Sequence, residues 1–296
     1  MSIDGRNGIM ISRNRDGTPV ETYDGEGKII DLLYGSAAGR LLLRFLISPA
    51  VSKTAGLFLD CPLSTGLVRP FIRKNHLNLA DYPERSYRSF NDFFTRTILP
   101  GRRPMALDAS KLISPCDGKA TVFSLREDSH FTIKGCDYTL STLLQNEELC
   151  RAYCGGWGIL LRLTVDDYHR YIYPVSGAAC APHHISGVFH TVNPRAAAAR
   201  AIYRENTREY TLIKTAQFGT VLMMEIGAML VGRIKNPQSA AAVERGAEKG
   251  YFEFGGSSIM LLLEKGHFDP DADLIAHSAN GEETVVKQGE SIGQLK

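Results

Sequence analysis

Ser257 is the residue most suited to chemistry in this 296-residue chain, because it lies in a short polar break, Gly255-Gly256-Ser257-Ser258. The surrounding stretch, residues 251–263, is otherwise aromatic and aliphatic, which is typical of buried strands. Glycine within a buried strand costs conformational entropy and contributes no side chain to packing. The pattern therefore indicates a backbone bend at Ser257, and a β-bulge or tight turn would explain the bend without any reaction.

A chemical explanation of the same break is that the Ser257 hydroxyl attacks the carbonyl of Gly256. The paired glycines would allow the strained backbone geometry that such an attack requires. The amide would become an ester, and loss of the Ser257 α-proton would expel the Gly256 carboxylate. Hydrolysis of the remaining dehydroalanine would leave a pyruvoyl group at the new N-terminus. The chain would then consist of residues 1–256 and residues 257–296.

A serine nucleophile needs a base, usually a histidine that is held by a carboxylate. Among eight histidines, His169 follows a predicted strand at 158–165, where a rigid scaffold can aim its ring. Asp117, within residues 114–118, precedes another predicted strand. From the residues alone, the preferred interpretation is that His169 is an ordinary loop histidine beside a surface acid and that Asp117 is a turn aspartate before glycine.

The segment around Ser257 resembles the self-cleavage segment of the phosphatidylserine decarboxylases, which carry Gly-Ser-Thr or Gly-Ser-Ser there. Six upstream segments carry the same resemblance in the family's order, and together the matches cover about residues 85–265. These segments are Ser89-Phe90-Asn91-Asp92-Phe93-Phe94-Thr95-Arg96, Arg103-Pro104, Ser114-Pro115-Cys116-Asp117-Gly118, Asp167-Tyr168-His169-Arg170, His190-Thr191-Val192-Asn193-Pro194 and Gly227-Ala228-Met229-Leu230-Val231-Gly232.

The resemblance implies that Asp117, His169 and Ser257 form a relay for self-cleavage between Gly256 and Ser257. Asp117 would fix the imidazole tautomer, and His169 would deprotonate Ser257. The pyruvoyl group made from Ser257 would be the covalent cofactor. It would form a Schiff base with phosphatidylserine, release carbon dioxide and yield phosphatidylethanolamine. No diffusible cofactor is expected, and the sequence has neither a dinucleotide nor a phosphate-binding glycine fingerprint.

This chain departs from the family at Ile172, where many members have a second histidine three positions after the first. How the task of that histidine is compensated stays open, and His190 is one candidate. His183, His184 and His190 could contact the substrate or cap strands, and capping is the preferred interpretation.

Composition restricts the remaining possibilities. A net charge of +2 with 22% charged residues does not indicate the excess of basic residues that is typical of nucleic-acid-binding proteins. The six cysteines lack zinc-finger spacing, so free thiols and no metal site are expected. The N-terminus lacks the order of a secretory signal, which favours a cytoplasmic location.

The expected organisation is an N-terminal loop or hairpin at 1–28, a helical region at 29–105 and a β-rich catalytic domain at 106–296. No apolar run reaches about 18 residues, so a spanning helix is not expected. Arg40 and Arg44 share one face of an otherwise apolar helix, which fits either the membrane interface or packing on the protein's own core. The resemblance favours the cytoplasmic side of the cell membrane, with an anionic surface as partner.

The fold class expected is α+β, with the helical part packed on a mainly antiparallel β-sandwich or barrel-like core. A helix at 87–97 would present Phe90, Phe93 and Phe94 as one aromatic stripe that joins the two parts. Asn280-Gly281 is typical of a hairpin turn. Strands are predicted at 119–124, 158–165, 209–214, 220–226, 229–234 and 258–264.

Three other functions remain possible from the sequence. A pyruvoyl decarboxylase of a soluble amino acid would share the Ser257 chemistry without needing the apolar helices. A non-cleaving serine hydrolase is disfavoured because the chain has no Gly-x-Ser-x-Gly segment. A carrier domain modified at Lys287 is disfavoured by the polar neighbours of that lysine. The two pieces of one precursor should associate, and a homodimer is possible.

Overall fold

A computed structural model describes residues 9–23, 27–126, 128, 130–133, 136–191, 202–228, 233–237, 241–255 and 257–296. Short α-helices dominate the first third of these residues, and a 3-10 helix at Pro62–Leu67 separates the third helix from the fourth. The α-helices are α1 Gly27–Gly35, α2 Ala37–Leu46, α3 Pro49–Asp60, α4 Val68–Lys74, α5 Phe90–Phe94, α6 Leu140–Leu144, α7 Glu147–Tyr153, α8 Ile202–Glu205 and α9 Ala272–Ala279.

Local capping explains where helices begin in the N-terminal region. Ser48 accepts a hydrogen bond from the backbone of Val51, and Pro49 occupies the first turn of α3. Ser89 caps α5 in the same way, so this helix begins three residues later than the sequence predicted and ends at Phe94. In the described helices, no segment combines the length and apolar character needed to cross a bilayer.

The β-rich part contains one large sheet and three small ones. In the large sheet the strand order is β14-β9-β11-β12-β16-β7-β4-β18-β1-β2, with β10 paired to β11, and β1 with β18 is its parallel pair. The strands are β1 Ile9–Arg13, β2 Pro19–Tyr23, β3 Lys111–Ile113, β4 Gly118–Ser124, β5 His130–Ile133, β6 Cys136–Thr139, β7 Trp157–Leu163, β8 Arg170–Ile172, β9 Gly177–Ala179, β10 His183–Ile185, β11 Arg208–Lys214, β12 Thr220–Gly227, β13 Ile234–Lys235, β14 Ala242–Val243, β15 Glu248–Phe252, β16 Ser257–Leu263, β17 Phe268–Pro270, β18 Glu283–Val286 and β19 Ser291–Leu295.

The α+β class is confirmed, and five of the six predicted strands correspond to β4, β7, β11, β12 and β16. Residues 229–232 of the sixth lie outside the described residues. The expected barrel-like closure is wrong for the part of the chain described, because the large sheet has two free ends, β14 and β2. The hairpin at Asn280-Gly281 is also wrong. Gly281, at φ +74°, instead follows α9, where a left-handed residue terminates a helix and leads into β18.

Strand β16 lies in the middle of the large sheet, between β12 and β7, and all of its residues are buried. Its side chains alternate between two hydrophobic cores, with Ile259 and Leu261 in one and Met260 in the other. By the same alternation, Ser257 lies on the face of the first core and Ser258 on the face of the second.

Five aromatic rings join the helical region to the β-rich part. Phe254, just before the polar break, packs edge-on against Phe71, Phe90 and Phe94, with ring centroids 4.9–5.7 Å apart. Phe93 packs against Phe71 in the same cluster. The aromatic stripe predicted from the sequence therefore fixes the chain segment that enters β16.

A buried ion pair supports the face of the sheet on which Ser257 lies. Lys249 donates to both carboxylate oxygens of Glu225 at 2.8 Å, and both side chains are at most 2% exposed. Asn236 donates to Glu225 at 3.2 Å and also to Glu209. Removing one partner of such a pair leaves a buried charge without compensation.

We therefore expect Lys249→Met alone to lower the free energy of unfolding by about 3–5 kcal/mol. Adding Glu225→Gln should recover most of that loss, because the uncompensated carboxylate disappears. Urea unfolding followed by circular dichroism measures both variants. Equal stability of the single and double variants would contradict a buried ion pair between Lys249 and Glu225.

Candidate active site

Ser257 is fully buried at the first position of β16, and its Oγ atom has no hydrogen-bond partner among the described residues. It pairs with Leu163 of β7 on one side and with Gly227 of β12 on the other. Gly255 has φ +143°, which only glycine adopts readily, so the bend inferred from the sequence is present. Gly256, and with it the predicted cleavage site, lies outside the described residues.

His169 is held in one tautomer by its own turn. Its Nδ1 atom lies 2.9 Å from the backbone carbonyl of Asp167, and a carbonyl can only accept, so Nδ1 carries the proton. The Nε2 atom is therefore the one with a free lone pair in the neutral ring. Nε2 is buried and has no partner in the part of the chain that the structure describes, which is the state required of a general base.

Burial is the main cause that lowers the pKa of His169, to about 4. The charge of Asp167 opposes this shift, whereas the nearby cation of Arg96 adds to it. The imidazole is consequently neutral, and able to accept a proton, throughout the physiological pH range.

The turn that carries His169 is held in place because the Asp167 carboxylate accepts several hydrogen bonds. Asp167 accepts from the Lys119 ammonium at 2.7 Å and from the backbone and hydroxyl of Thr164 at 2.8 Å. Burial opposes ionisation of Asp167, but Lys119 outweighs it and lowers the pKa to about 2. On the other side, the Phe94 ring lies 4.2 Å from the imidazole, so ring position and tautomer are both fixed.

The fold brings Ser257 and His169 to the same end of the β7–β16 ladder. Strand β7 ends at Leu163, directly opposite Ser257, and the turn to His169 begins at the next residue. The backbone N–H of Phe252 donates to the His169 carbonyl at 3.0 Å, so the chain leading to Ser257 runs beside this turn. The side chains that carry these two partnerless atoms are therefore both buried near the same end of this ladder, and no hydrogen bond among the described residues joins them.

Asp117 lies in the same region but not against the imidazole. Its carboxylate accepts from Arg103 at 2.8 and 2.6 Å, from the backbone of Gln288 at 2.9 Å and from Lys287 at 3.4 Å. The Gln288 side chain donates in turn to the carbonyl of Arg170, the residue after His169. Asp117 therefore supports the backbone of the His169 turn, and its part in the predicted relay stays a prediction.

The sequence did not identify Arg103, Lys119 or Asp167 as parts of this site. Arg103 stood in a segment that carried the family resemblance, and Asp167 is two residues before His169. Those positions in the sequence could have indicated Arg103 and Asp167. The pairing of Lys119 with Asp167 could not be predicted in this way, because it depends on the register between β4 and β7.

Ile172 is buried, and its aliphatic side chain offers the site no polar group. Its backbone N–H donates to the Pro115 carbonyl at 2.9 Å. Its side chain lines a cavity of about 190 Å³ next to Arg103. The His190 ring has other partners, with Nδ1 3.0 Å from the Tyr34 hydroxyl and Nε2 3.0 Å from Glu205.

His183 and His184 lie in β10, where both side chains are exposed. The described residues contain no cluster of three metal-ligating side chains, and Cys61, Cys116, Cys150, Cys154 and Cys180 are free thiols.

Comparisons with known proteins agree on one family. A family profile described as phosphatidylserine decarboxylase matches residues 90–294. The chain is 41% identical over 266 residues to phosphatidylserine decarboxylase proenzyme 2 of Clostridium acetobutylicum, covering 90% of this chain and 91% of that protein. It is 37% identical to the proenzyme of Ruminiclostridium cellulolyticum, with 90% and 91% covered, and 33% identical to that of Fusobacterium nucleatum, with 97% of each covered.

The lowered pKa of His169 predicts the pH dependence of backbone cleavage at Ser257. The basic form of the ring persists until the pH falls to about 4, so the cleavage rate should be flat from pH 8 to pH 5 and fall below that. Precursor refolded from urea at each pH and followed on denaturing gels measures the rate. A rate that already falls around the ordinary histidine value of about 6.5 would contradict the buried, neutral base.

Proposed function

The chain belongs to the phosphatidylserine decarboxylase family, and we propose from this premise that it converts phosphatidylserine to phosphatidylethanolamine and carbon dioxide. Its relatives are named proenzymes, which supports a precursor that cuts itself before Ser257. The observation that carries the proposal is the buried pair of partnerless atoms, Ser257 Oγ and His169 Nε2, at one end of the central ladder.

The residues around Ser257 fit a pyruvoyl group made from it. The side chain is fully buried, its oxygen is not used in any structural hydrogen bond, and Gly255 gives the preceding backbone its unusual conformation. Once formed, such a group supplies a carbonyl that condenses with a substrate amine and accepts the electrons released by the departing carboxylate.

His169 would move protons at two stages through the same atom. Because Nδ1 is held by Asp167, only Nε2 can exchange a proton. During maturation Nε2 would accept the hydroxyl proton of Ser257. During turnover it would return a proton to the substrate carbon that loses its carboxylate.

The site would also favour decarboxylation by excluding water. Ser257 and His169 are at most 1% exposed, and Phe94 and Phe254 cover the approach from the helical side. A carboxylate that enters such an environment loses hydration, and its conversion to neutral carbon dioxide relieves that cost.

An exposed apolar surface on the helices supports a lipid substrate over a soluble amino acid. We define the apolar helical face as the exposed side chains of Leu32, Leu41, Leu42, Leu57, Phe58, Leu63 and Leu67. Exposed basic residues accompany it, namely Arg40, Arg44, Lys53, Arg69, Arg73 and Lys74. Apolar side chains rimmed by cations fit an anionic bilayer surface, and we propose that this face rests on the cytoplasmic side of the membrane.

Self-cleavage distinguishes these proposals from a non-cleaving serine hydrolase. We expect wild-type protein to run on a denaturing gel as two pieces, residues 1–256 and 257–296, and to release carbon dioxide from phosphatidylserine. Ser257→Ala should stay in one piece and be inactive. Ser258→Ala is the matched control, because Ser258 is equally buried but faces the other core, and it should still be cut. Intact wild-type protein that decarboxylates would contradict the mechanism.

Membrane binding through the apolar helical face can be tested separately. Leu41→Glu with Leu57→Glu should reduce binding to vesicles that contain anionic lipid by at least about tenfold, because burial of one leucine is worth about 1.5–3 kcal/mol. Leu107→Glu is the control, since Leu107 is 96% exposed but lies outside the helices. Sedimentation measures binding, and normal self-cleavage shows that each variant folds. Unchanged sedimentation of the double variant would contradict the proposed face.

A further inference from the structure

Among the described residues, no carboxylate pairs with the buried cation Arg96. Its side chain lies beside the His169 turn and is only 4% exposed. The guanidinium packs on the rings of Tyr82, at 4.1 Å, and Phe93, at 4.7 Å. Nη1 donates to the Phe93 carbonyl at 3.3 Å, whereas Nε is buried and has no acceptor.

Other buried cations in the described part of the chain are paired. Lys119, Arg162 and Lys249 each have a carboxylate oxygen at 2.6–2.8 Å. Arg208 has no carboxylate, but it donates to four backbone carbonyls at 2.7–3.1 Å, so its donors have acceptors. Within the described residues, Arg96 has no carboxylate; it keeps one long bond to the Phe93 carbonyl and a contact with the Tyr82 side chain, and its Nε has no acceptor. Burial accordingly lowers the pKa of Arg96, because no anion of the described residues stabilises the charged guanidinium.

The position of Arg96 places this unsatisfied cation next to the proposed reaction site. It follows Phe94, whose ring covers His169, by two residues. The intervening Thr95 carbonyl accepts from Arg170 Nε at 2.8 Å, so the segment is tied to the residue after His169. The charge of Arg96 also reaches the imidazole, whose pKa it helps to lower.

We propose that Arg96 binds the phosphodiester anion of the substrate head group, a role that rests on the proposed function. The substrate has two anions, its phosphate and its carboxylate. A cation on the carboxylate would stabilise a charge that the reaction must remove and would slow the step. The phosphate keeps its charge throughout, so binding it anchors the head group at no cost to the chemistry.

Access to Arg96 would come from the side of Tyr82. This residue lies in the irregular segment between α4 and α5, and it covers one face of the guanidinium. Displacement of the Tyr82 ring would expose the planar donors, which suit two oxygens of one phosphate.

The test compares Arg96→Gln and Arg96→Lys with Arg85→Gln. Arg85 is a matched control because it also lies over an aromatic ring, Tyr87, at 4.8 Å, but is exposed and paired with Asp92. Self-cleavage, which needs no substrate, reports whether each variant folds. Phosphatidylserine in mixed micelles then gives kcat and KM.

We expect Arg96→Gln to be cut normally and to raise KM about 10- to 100-fold with little change in kcat, the signature of lost uniform binding. Arg96→Lys should give an intermediate KM, and Arg85→Gln should match the wild type. An unchanged KM in Arg96→Gln, or a loss confined to kcat, would overturn the proposal. An inactive wild type would instead contradict the proposed function.

Inhibition of the wild type by sn-glycerol 3-phosphate provides a measurement that does not depend on the variants. Competitive inhibition beyond that of sodium chloride at equal ionic strength supports a phosphate site, and its absence overturns the proposal. If neither Arg96 variant is cut, this measurement decides the question. In cut Arg96→Gln, the same inhibition should be at least about tenfold weaker.

Discussion

The hydrogen bond between His169 Nδ1 and the Asp167 carbonyl is the constraint on which the site depends. It selects the tautomer and leaves Nε2 as the basic atom. The bond persists because the Asp167 carboxylate is locked by Lys119 and Thr164, which fixes the turn from within. A backbone carbonyl thus does for this histidine what a side-chain carboxylate does in many serine enzymes.

The sheet supplies selectivity between two neighbouring serines. Ser257 and Ser258 are equally buried and both have hydroxyl oxygens without partners. Alternation along β16 sends them to opposite faces, and Ser257 lies on the face of the first core, to which Leu163 before the His169 turn and Tyr171 after it also belong. Strand geometry, more than the chemical identity of the residue, decides which hydroxyl can react.

The strands beside Ser257 and His169 and the bend before Ser257 were predictable, because hydrophobic runs and a glycine break are local signals; the chemical roles of the two residues came from the family resemblance and stay predictions. The partner of His169 was not predictable, since its acceptor is a main-chain atom whose position follows from the shape of the turn. Asp117 was expected beside the imidazole, but Arg103, brought close by the fold, takes its carboxylate. The prediction of a barrel-like closure was wrong for a similar reason, because the ends of a sheet are set by long-range strand pairing that the periodicity of the sequence does not encode.

The central place of β16 has a consequence for the proposed cut before Ser257. Both neighbours of this strand, β12 and β7, belong to residues 1–256, while β18 and β19 of the shorter piece pair with β4 and β3. Residues 1–256 and residues 257–296 would therefore contribute alternating strands to the same sheets. Dissociation would require disrupting both hydrophobic cores, so after the proposed cut the tertiary structure would hold the two pieces together.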